Sequence, residues 1–335
     1  MDDPKRPETA VKTISIVTPC FNEERGIREC YESVREIFAS ALKEYDYEHI
    51  FCDNASTDRT VEILRDIARS DKRAKIIINS RNFGPLRSTY NGVMSATGDA
   101  VLLFLPADLQ DPPSLLPEFV KLWKGGYEVV YGIRAQRTEP WIMRSMRNGF
   151  YRLLTKFSDL DVPPGVGDFQ LVDRKVVEAM RHIEDSQPFM RMMTFECGFR
   201  AVGVPYRWQA RRYGSSKNTL LRLFDQGING FVTFTTAPVR MVLFAGFCIA
   251  ALSIVYAITS LVIGLLYYRE IAAPGIMTII TAVFFFSGVQ LFVIGMIGEY
   301  ILGIHSLARK KPLVFERERI NFSSTHDETP QRRSG

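Results

Sequence analysis

Short apolar runs alternate with longer amphipathic stretches over the first 135 residues of the chain. The runs of strand length are Thr13–Thr18, Tyr47–Cys52, Ala74–Ile78, Ala100–Leu105 and Glu128–Tyr131. The stretches between them, with helical spacing of apolar residues, are Arg25–Leu42, Arg59–Arg69, Pro85–Ala96 and Pro113–Trp123. This alternation predicts an α/β fold, with a mostly parallel sheet and helices on both of its faces.

Beyond residue 135 the pattern predicts mainly helices. Residues 140–158 form one amphipathic stretch, and residues 216–235 form a second that is expected to lie along a membrane surface. Shorter helices are expected near residues 174–182 and 188–197, and Asp168 falls in a loop flanked by glycines. Residues 1–12 and the last dozen residues are polar, and we expect them to be disordered.

Two long stretches, Met241–Tyr268 and Ile271–Gly298, contain no Asp, Glu, Lys or Arg. As a helix, each would be roughly 42 Å long, which is enough to cross a hydrocarbon core of about 30 Å. Only Arg269 and Glu270 separate them, so they predict a transmembrane hairpin over residues 236–308, with spans at about 239–268 and 271–301. The alternative is that both stretches are buried core helices, but uncharged stretches of this length disfavour it.

Basic residues predict the orientation of this hairpin. Arg200, Arg207, Arg211, Arg212, Lys217 and Arg222 precede the first span, and Arg309, Lys310 and Lys311 follow the second. By the positive-inside rule, the globular domain (residues 13–215) and the tail (residues 309–335) are both cytoplasmic, at the bacterial inner membrane. The first twelve residues contain no apolar stretch, so no cleaved signal peptide is expected.

Charge and cysteine content narrow the possible partners. The net charge is +5, and the basic residues gather beside the predicted spans, so we expect anionic lipid or phosphate partners rather than nucleic acid. The five cysteines form no CxxC pair, which argues against a disulfide framework or a zinc site. The four histidines lack ligand spacing and are expected to be structural or solvated.

Polar, carboxylate-bearing segments follow three of the predicted strands. They are Pro19–Glu24, Asp53–Asp58 and Pro106–Pro113. In α/β sheets, ligands bind at the carboxyl ends of the strands, so these segments are expected to converge on one crevice. Carboxylates can accept hydrogen bonds from a base or a ribose, and paired acidic groups can hold Mg²⁺ or Mn²⁺ against a diphosphate. The pattern therefore predicts a nucleotide and metal site.

A set of motifs in this chain resembles the family 2 glycosyltransferases of GT-A (Rossmann-like) fold. Within them it is similar to the polyprenyl-phosphate branch, which includes dolichyl-phosphate mannose synthase and the bactoprenol glucosyltransferases. The motifs are P-x-F-N-E at 19–23, D-N-A-S-x-D at 53–58, S-R-N-F-G at 80–84, A-T-G-D at 96–99, A-D-L-Q-D-P-P at 107–113, G-D-F-x-L-x-D-R-K at 167–175, G-x-S-K at 214–217 and I-G-E-Y at 297–300.

The resemblance implies transfer of a sugar from a nucleotide donor, with UDP favoured, to a polyprenyl phosphate. It places Pro19, Phe21, Glu23, Asp53, Asn54 and Arg87 at the nucleotide sugar. It places Asp108 and Gln110 on the metal, Asp168 and Asp108 in catalysis, and Arg134, Arg211, Arg212, Ser216 and Lys217 at the lipid phosphate. It also implies a homo-oligomer, a tetramer in relatives.

Some of these residues have a simpler structural interpretation. Asp111 precedes Pro112 and Asp58 precedes a helical stretch, so both are predicted to be helix N-caps. Arg211 and Arg212 can instead serve as membrane anchors, with their aliphatic parts in lipid and their charges in water.

The implied reaction is a single displacement with inversion. A phosphomonoester has its second pKa near 6, so the attacking oxygen is already largely ionised at pH 7. The enzyme must therefore align the reactants and neutralise the departing diphosphate, and Asp168 is expected to orient the acceptor or the sugar.

Three positions depart from the pattern of relatives. Pro106 stands where many carry the first Asp of D-A-D-L-Q-D, and Pro85 stands where a lysine is common, with Arg87 nearby. Gln170 occupies a position where arginine is frequent. These losses of charge leave open a non-catalytic protein that binds a nucleotide sugar or a lipid phosphate as a scaffold. A processive polysaccharide synthase is disfavoured, because the chain lacks a Q-x-x-R-W motif and has only two predicted spans.

Overall fold

The computed structural model describes residues 11–134, 163, 166–183, 185, 188–208 and 312–322, with scattered helical positions between residues 279 and 304. The chain divides into two compact units. The first comprises Met1–Ser145, Leu160–Lys217 and Lys311–Gly335, and the second comprises Met146–Asp159 and Asn218–Lys310. The described residues of the first unit form an α/β domain.

The strands of this domain are β1 (Thr13–Cys20), β2 (Asp46–Asp53), β3 (Ala74–Asn79), β4 (Ala100–Leu102), β5 (Val129–Arg134), β6 (Val166–Asp173), β7 (Ala201–Tyr206) and β8 (Glu316–Ile320). The helices are α1 (Ile27–Ser40), α2 (Thr60–Ser70), α3 (Pro85–Ser95), α4 (Leu116–Lys124), α5 (Arg174–Arg181) and α6 (Met190–Glu196), with a 3₁₀ turn at Pro113–Leu115. All nine strands and helices expected before residue 135 are present.

The eight described strands form one sheet in the order β7-β5-β6-β4-β1-β2-β3-β8. Strands β1 to β4 run parallel, and β5 runs parallel to β7. Strand β6 is antiparallel to both β4 and β5, and β8 is antiparallel to β3. The prediction of a mostly parallel α/β sheet is confirmed, and the two antiparallel strands make the sheet mixed.

Helices cover both faces of the sheet, as predicted. Successive side chains of a strand point to opposite faces. Ile14 and Ile16 of β1 pack in a buried cluster with residues of α1 and α4, whereas Val17 points to the face that α3 covers. A Cβ atom added at Gly92 of α3 would lie 2.8 Å from Cγ1 of Val17 and 2.3 Å from Sγ of Cys52. The glycine therefore allows α3 to lie directly on β1 and β2.

The prediction of a loop around Asp168 is wrong, because this segment forms strand β6 in the middle of the sheet. Val166, Phe169, Leu171 and Val172 are all buried. A strand with buried side chains on both faces does not alternate between apolar and polar residues. The flanking glycines, which are typical of loops, led to the wrong prediction. Strand β4 is shorter than the predicted Ala100–Leu105, although Leu105 N still donates to Val17 O at 2.8 Å.

The segment expected as a cytoplasmic tail contributes β8 to the sheet. Its register on β3 runs from Ile76 paired with Ile320 to Asn79 paired with Glu316. The sequence Glu-Arg-Glu-Arg-Ile has almost no apolar residue, because an edge strand exposes much of its side-chain surface. Strands β1 to β7 and strand β8, from distant parts of the chain, therefore belong to one sheet.

Most of the predicted membrane-associated segments lie outside the described residues: this holds for residues 216–235, for the span at 239–268 and for most of the span at 271–301. The same applies to the amphipathic stretch at 140–158 and to most of residues 1–12. The described positions between 279 and 304 are helical, and Ile279, Ile294 and Ile304 expose their side chains. Within the described part of the chain, no helix has both the length and the hydropathy needed to span a bilayer.

Candidate active site

The loops that follow β1, β2 and β4 share an unusual backbone feature. Asn22, Ala55 and Leu109 have φ angles of 57°, 60° and 55°, in the left-handed region that residues other than glycine rarely occupy. Such conformations cost of order 1–3 kcal/mol each and persist where the surrounding structure holds them, often at functional sites. The backbone conformation therefore marks the three loops at the carboxyl edge of the sheet as candidates for a functional site.

Side-chain hydrogen bonds join the loop after β1 to the loop after β2. Asn22 N donates to Ser56 Oγ at 3.0 Å, and Thr57 N donates to Asn22 Oδ1 at 2.8 Å. Glu23 N donates to Thr60 Oγ1 at 2.9 Å. Because backbone N–H groups of each loop are bound by side chains of the other, the two loops form one unit.

Asp58 belongs to this unit and was predicted to cap α2. The helix begins at Thr60, and the residue in the N-cap position, Arg59, makes no side-chain cap bond. Asp58 Oδ1 accepts the N–H of Thr60 at 3.0 Å, and its Oδ2 accepts the N–H of Glu24 at 3.2 Å. Asp58 thus satisfies the first N–H of α2, as a cap does, and also ties the helix to the neighbouring loop.

Asp53, at the end of β2, is 0% exposed. Its Oδ2 accepts the N–H of Ser56 at 3.0 Å, and its Oδ1 accepts the Ser56 hydroxyl. Burial raises the pKa of Asp53 above its usual value, and the bonds from Ser56 oppose this shift without cancelling it. The carboxylate is therefore held in a fixed orientation at the end of the strand.

Asn54 connects this strand end to the loop before α3. Its Oδ1 accepts from Asn79 Nδ2 at 3.0 Å and from Phe83 N at 3.4 Å, and its Nδ2 donates to Gly84 O at 3.2 Å. The side chain is 3% exposed, and both of its ends are engaged within the protein. The structure thus gives Asn54 a clear role in fixing the loop that leads to Arg87.

The other residues predicted to line the nucleotide pocket are half-buried. Pro19 lies at the end of β1, and Phe21 and Glu23 follow in the loop. Arg87 lies in the first turn of α3. Pro19 and Cys20 are register partners of Cys52 and Asp53, so the ends of β1 and β2 lie side by side. The nucleotide role of these residues stays a prediction.

The loop after β4 carries the two residues predicted to hold a metal, Asp108 and Gln110. Leu109 N closes a turn by donating to Pro106 O at 3.0 Å. Asp108 is 8% exposed, and its Oδ1 accepts from Gln110 N at 3.3 Å. Prolines at both ends of the loop and the left-handed Leu109 restrict its backbone to a narrow set of conformations.

The N-cap prediction for Asp111 is wrong. The 3₁₀ turn and α4 that follow it begin without a side-chain cap bond. The carboxylate of Asp111, in a residue that is 1% exposed, instead accepts from Arg134 Nη2 at 3.0 and 3.1 Å and from the hydroxyl of Tyr206. A buried carboxylate needs a positive partner, and Arg134 at the end of β5 supplies it.

Arg134 was predicted to grip the lipid phosphate. In the structure its Nη2 binds Asp111 and its Nε donates to Tyr206 Oη at 3.1 Å. Although burial opposes its charge, Asp111 and Tyr206 keep the pKa of Arg134 above its usual value. Burial and the charge of Asp111 also raise the pKa of Tyr206. In the structure, the partners of Arg134 are therefore Asp111 and Tyr206.

Asp168, in β6, lies beside Arg191 of α6, with 3.8 Å between Oδ1 and Nε. The guanidinium of Arg191 also stacks over the ring of Phe189, 4.2 Å from its centroid. Sequence reasoning did not identify Arg191. The available signal was an arginine within the mostly apolar segment 189–195.

Gln170 and Thr194 attach α6 to β6. Thr194 Oγ1 donates to Gln170 Oε1 at 2.8 Å and also lies 3.1 Å from Arg191 O. Gln170 Nε2 donates to Gly167 O at 3.0 Å. Gln170 thus holds the backbone beside Arg191.

The remaining predicted lipid-phosphate residues, Arg211, Arg212, Ser216 and Lys217, lie outside the described residues. The described residues contain no group of three or more His, Cys, Asp or Glu side chains arranged to hold a metal ion. Asp108 and Gln110 offer hard oxygen donors, which fit Mg²⁺ or Mn²⁺ when diphosphate oxygens complete the coordination. These residues fit a metal bound together with a nucleotide.

Comparison with known proteins identifies a family and relatives that match most of the chain. The profile of the family described as "Glycosyl transferase family 2" matches residues 15–181. The chain is 37% identical to "Uncharacterized glycosyltransferase YkcC" of Bacillus subtilis (strain 168), over 89% of this chain and 91% of the relative. It is 32% identical to "Bactoprenol glucosyl transferase" of Shigella phage SfV, over 89% and 96%.

Among solved structures, glucosyl-3-phosphoglycerate synthase from Mycobacterium tuberculosis, in complex with Mn²⁺, UDP and phosphoglyceric acid, is 20% identical with a TM-score of 0.43. The match covers 67% of this chain and 81% of that one.

Proposed function

The chain belongs to glycosyl transferase family 2, and from this premise we propose that it transfers a sugar from a UDP-sugar to a polyprenyl phosphate. The transfer proceeds with inversion at the cytoplasmic face of the membrane. The chain is a glycosyltransferase, and its α/β domain has a GT-A-like mixed sheet. The proposal concerns the donor, the acceptor, the stereochemistry and the location.

One observation carries the choice of acceptor. The similarity to the bactoprenol glucosyl transferase of phage SfV extends over 300 residues, far beyond the part of the chain that the family profile matches. It therefore includes a large part of the chain outside the α/β domain, where the uncharged stretches lie. A polyprenyl phosphate is the acceptor that fits a chain with this arrangement.

The donor site proposed here is the unit formed by the loops after β1 and β2. Pro19, Phe21 and Glu23 line one side, and Asp53 with Asn54 forms the end of the adjacent strand. A fixed carboxylate at this position can accept hydrogen bonds from the base or the ribose, and Arg87 supplies positive charge nearby. Because hydrogen bonds already join the two loops, we expect them to bind the nucleotide without a large rearrangement of their backbone.

Asp108 and Gln110 are proposed to hold Mg²⁺ or Mn²⁺ through their side-chain oxygens. The ion supplies positive charge that neutralises the departing diphosphate. Pro106 cannot contribute a ligand through its side chain, and Asp111 is committed to Arg134 and Tyr206. Asp108 is therefore the carboxylate on which this part of the site depends.

The acceptor site is proposed to centre on Asp168 and Arg191. The phosphate of the lipid is largely ionised at pH 7, so Asp168 has no difficult proton to remove. It instead orients the sugar or the acceptor, and Arg191 attracts the phosphate. Arg211, Arg212, Ser216 and Lys217 add charge and hydrogen bonds at the same phosphate. Catalysis then consists of alignment and charge stabilisation.

The position of β8 supports the membrane part of the proposal. Strands β1 to β7 share one sheet with β8, so β7 and β8 lie on the same side of any membrane. The segment between them must then cross a membrane an even number of times, and it contains two uncharged stretches of spanning length. The excess of Lys and Arg around these stretches supports a cytoplasmic location of the sheet.

A donor panel tests the proposal. The full chain in detergent is incubated with undecaprenyl phosphate, Mn²⁺ and UDP-glucose, UDP-N-acetylglucosamine, UDP-glucuronic acid or GDP-mannose, and the lipids are analysed by mass spectrometry. We expect one donor to give a lipid heavier by one sugar residue, with release of the nucleoside diphosphate. Binding of UDP without product from any donor would instead favour a non-catalytic binding protein.

A further inference from the structure

Strands β5 and β7 end side by side, and their last residues meet the loop after β4. Arg134 and Tyr206 are register partners in the parallel ladder. Arg134 Nη2 donates to both oxygens of Asp111, Tyr206 Oη donates to Asp111 Oδ1, and Arg134 Nε donates to Tyr206 Oη. The three side chains, which we call the Asp111 triad, thus form a closed ring of hydrogen bonds.

The surrounding backbone is shaped to accommodate the Asp111 triad. A Cβ atom added at Gly132 would lie 2.6 Å from Cε1 of Tyr206, so only glycine lets the ring pack there. The guanidinium of Arg134 also lies over the ring of Trp208, 5.5 Å from its centroid. Arg134 is thus held from two sides, and the triad is part of the packed structure.

The triad fixes the loop that carries the proposed metal ligands. Asp111 directly follows Gln110 and lies three positions after Asp108. Between them is Leu109, whose φ of 55° the loop must maintain against its intrinsic preference. A strained loop keeps its conformation only if its ends are anchored. Asp111 provides the anchor on the side of β5 and β7.

We propose that Asp111, Arg134 and Tyr206 are positioning residues that hold Asp108 and Gln110 in place for the diphosphate and its metal ion. This inference rests on the proposed function. It assigns Arg134 to the donor side of the reaction, through Asp111, in place of direct contact with the lipid phosphate.

The test is Tyr206→Phe, which removes one hydroxyl from the ring and keeps its shape. Tyr31→Phe is the matched control. Tyr31 lies on α1, is as buried as Tyr206, and donates its hydroxyl hydrogen to Asp71 Oδ2 at 3.0 Å. Affinity for UDP is measured by calorimetry on the full chain in detergent, with and without Mn²⁺. Hydrogen exchange of residues 106–113 is measured on the same samples. Asp111→Asn is a second variant, with the risk that it leaves Arg134 buried without its partner.

In Tyr206→Phe we expect the gain in UDP affinity on adding Mn²⁺ to fall about tenfold, in line with loss of one hydrogen bond to a charged group. Affinity for UDP without metal should stay within twofold, and exchange in residues 106–113 should rise. Tyr31→Phe should change neither quantity.

Unchanged exchange and unchanged metal-linked affinity in Tyr206→Phe would overturn the positioning role while leaving the proposed function intact, provided that the wild type forms product. Faster exchange in a protein that never binds UDP would overturn both. An equal loss of affinity with and without Mn²⁺ would show a general structural effect and would also contradict the proposal.

Discussion

Nε of Arg191 lies 3.8 Å from Oδ1 of Asp168, within range of an ion pair and beyond hydrogen-bonding distance. This Oδ1 is buried, and no donor among the described residues reaches it. Buried polar atoms are nearly always hydrogen-bonded, so an oxygen of this kind invites a functional explanation. A ligand hydroxyl that donates to Asp168 while its charged neighbour approaches Arg191 is the arrangement that this geometry favours.

Asp168→Asn should therefore abolish most turnover without loss of donor binding. The amide keeps the shape of the side chain but removes the charge that orients the reactants. We expect kcat to fall by about 100-fold or more, a size typical of a positioned acid–base or electrostatic group. Turnover is measured by release of nucleoside diphosphate, and UDP affinity by calorimetry.

Asp66→Asn is the control for this experiment. Asp66 pairs with Arg69 on the exposed surface of α2, 3.0 Å away, so the same change of charge is made far from the site. Full turnover in Asp168→Asn, with UDP affinity unchanged, would remove Asp168 from the mechanism. A matching loss in Asp66→Asn would point to a nonspecific effect of charge.

Pro106→Asp should change how the protein binds metal. With Asp108 as the carboxylate of the loop, Mn²⁺ should bind the wild type weakly alone and more tightly with UDP, whose phosphates supply further ligands. A second carboxylate should raise the affinity for Mn²⁺ in the absence of nucleotide about tenfold. Free Mn²⁺ is measured by electron paramagnetic resonance. Pro106→Asn, which adds a similar side chain without charge, should give a smaller increase.

Tight binding of Mn²⁺ to the wild type without UDP would contradict this prediction, because the ion would then have ligands that the loop after β4 does not supply. Equal effects of Asp and Asn at position 106 would show that the loss of proline matters more than the gain of charge.

The sequence was most informative where strands and helices alternate. Strands β1, β2 and β3 begin at or within one residue of the predicted positions, because each is a buried apolar run bounded by polar residues. Strands β6, β7 and β8 were not predicted, and β6 and β8 were missed for opposite reasons. Val166–Asp173 is buried on both faces and flanked by glycine, whereas Glu316–Ile320 is a charged edge strand that pairs with a strand from the other end of the chain.

The sequence located candidate site residues best where the expected role depends on a position near a strand end, and their roles stay predictions. Asp53 ends β2 and Asp108 lies in the loop after β4, so the carboxyl-edge rule predicted that both are near one crevice. Asp111 has the local sequence of a helix cap, but its partner Tyr206 is 95 positions away in sequence. Arg191 likewise reaches Asp168 through the packing of α6 on β6. Such long-range pairs leave no local pattern to detect.

The buried His49 should make the stability of the domain fall in acid. Its Nε2 and Thr18 Oγ1 are 2.8 Å apart, its ring stacks on Phe51, and burial lowers its pKa to about 3. The unfolded chain binds a proton at a pKa of about 6.5, so between pH 6.5 and pH 3 the unfolded state holds more protons. Stability therefore falls as pH falls through this window, by roughly 2 kcal/mol at pH 5 from this residue alone.

His49→Gln tests this effect, because glutamine is polar and does not titrate. The melting temperature of the full chain in detergent is measured at pH 7 and pH 5 for the wild type and the variant. We expect a smaller decrease in the variant than in the wild type. His182→Gln is the control, since His182 is exposed at the end of α5 and should leave the decrease unchanged. An identical decrease in wild type and His49→Gln would show that other groups govern the acid sensitivity.

Deleting residues 316–335 should destabilise the α/β domain, although these residues follow both predicted spans. The deletion removes the ladder on β3, the pair of Arg65 with Glu318 at 2.5 Å, and the bonds from Asn321 Nδ2 to Ala68 O and Ala74 O at 2.8 and 2.9 Å. It also exposes the edge of β3, which can then pair with other molecules. We expect a lower melting temperature and concentration-dependent aggregation in light scattering. Deleting only residues 323–335 removes none of these contacts and should leave both properties unchanged; equal behaviour of the two deletions would mean that β8 does not stabilise the sheet.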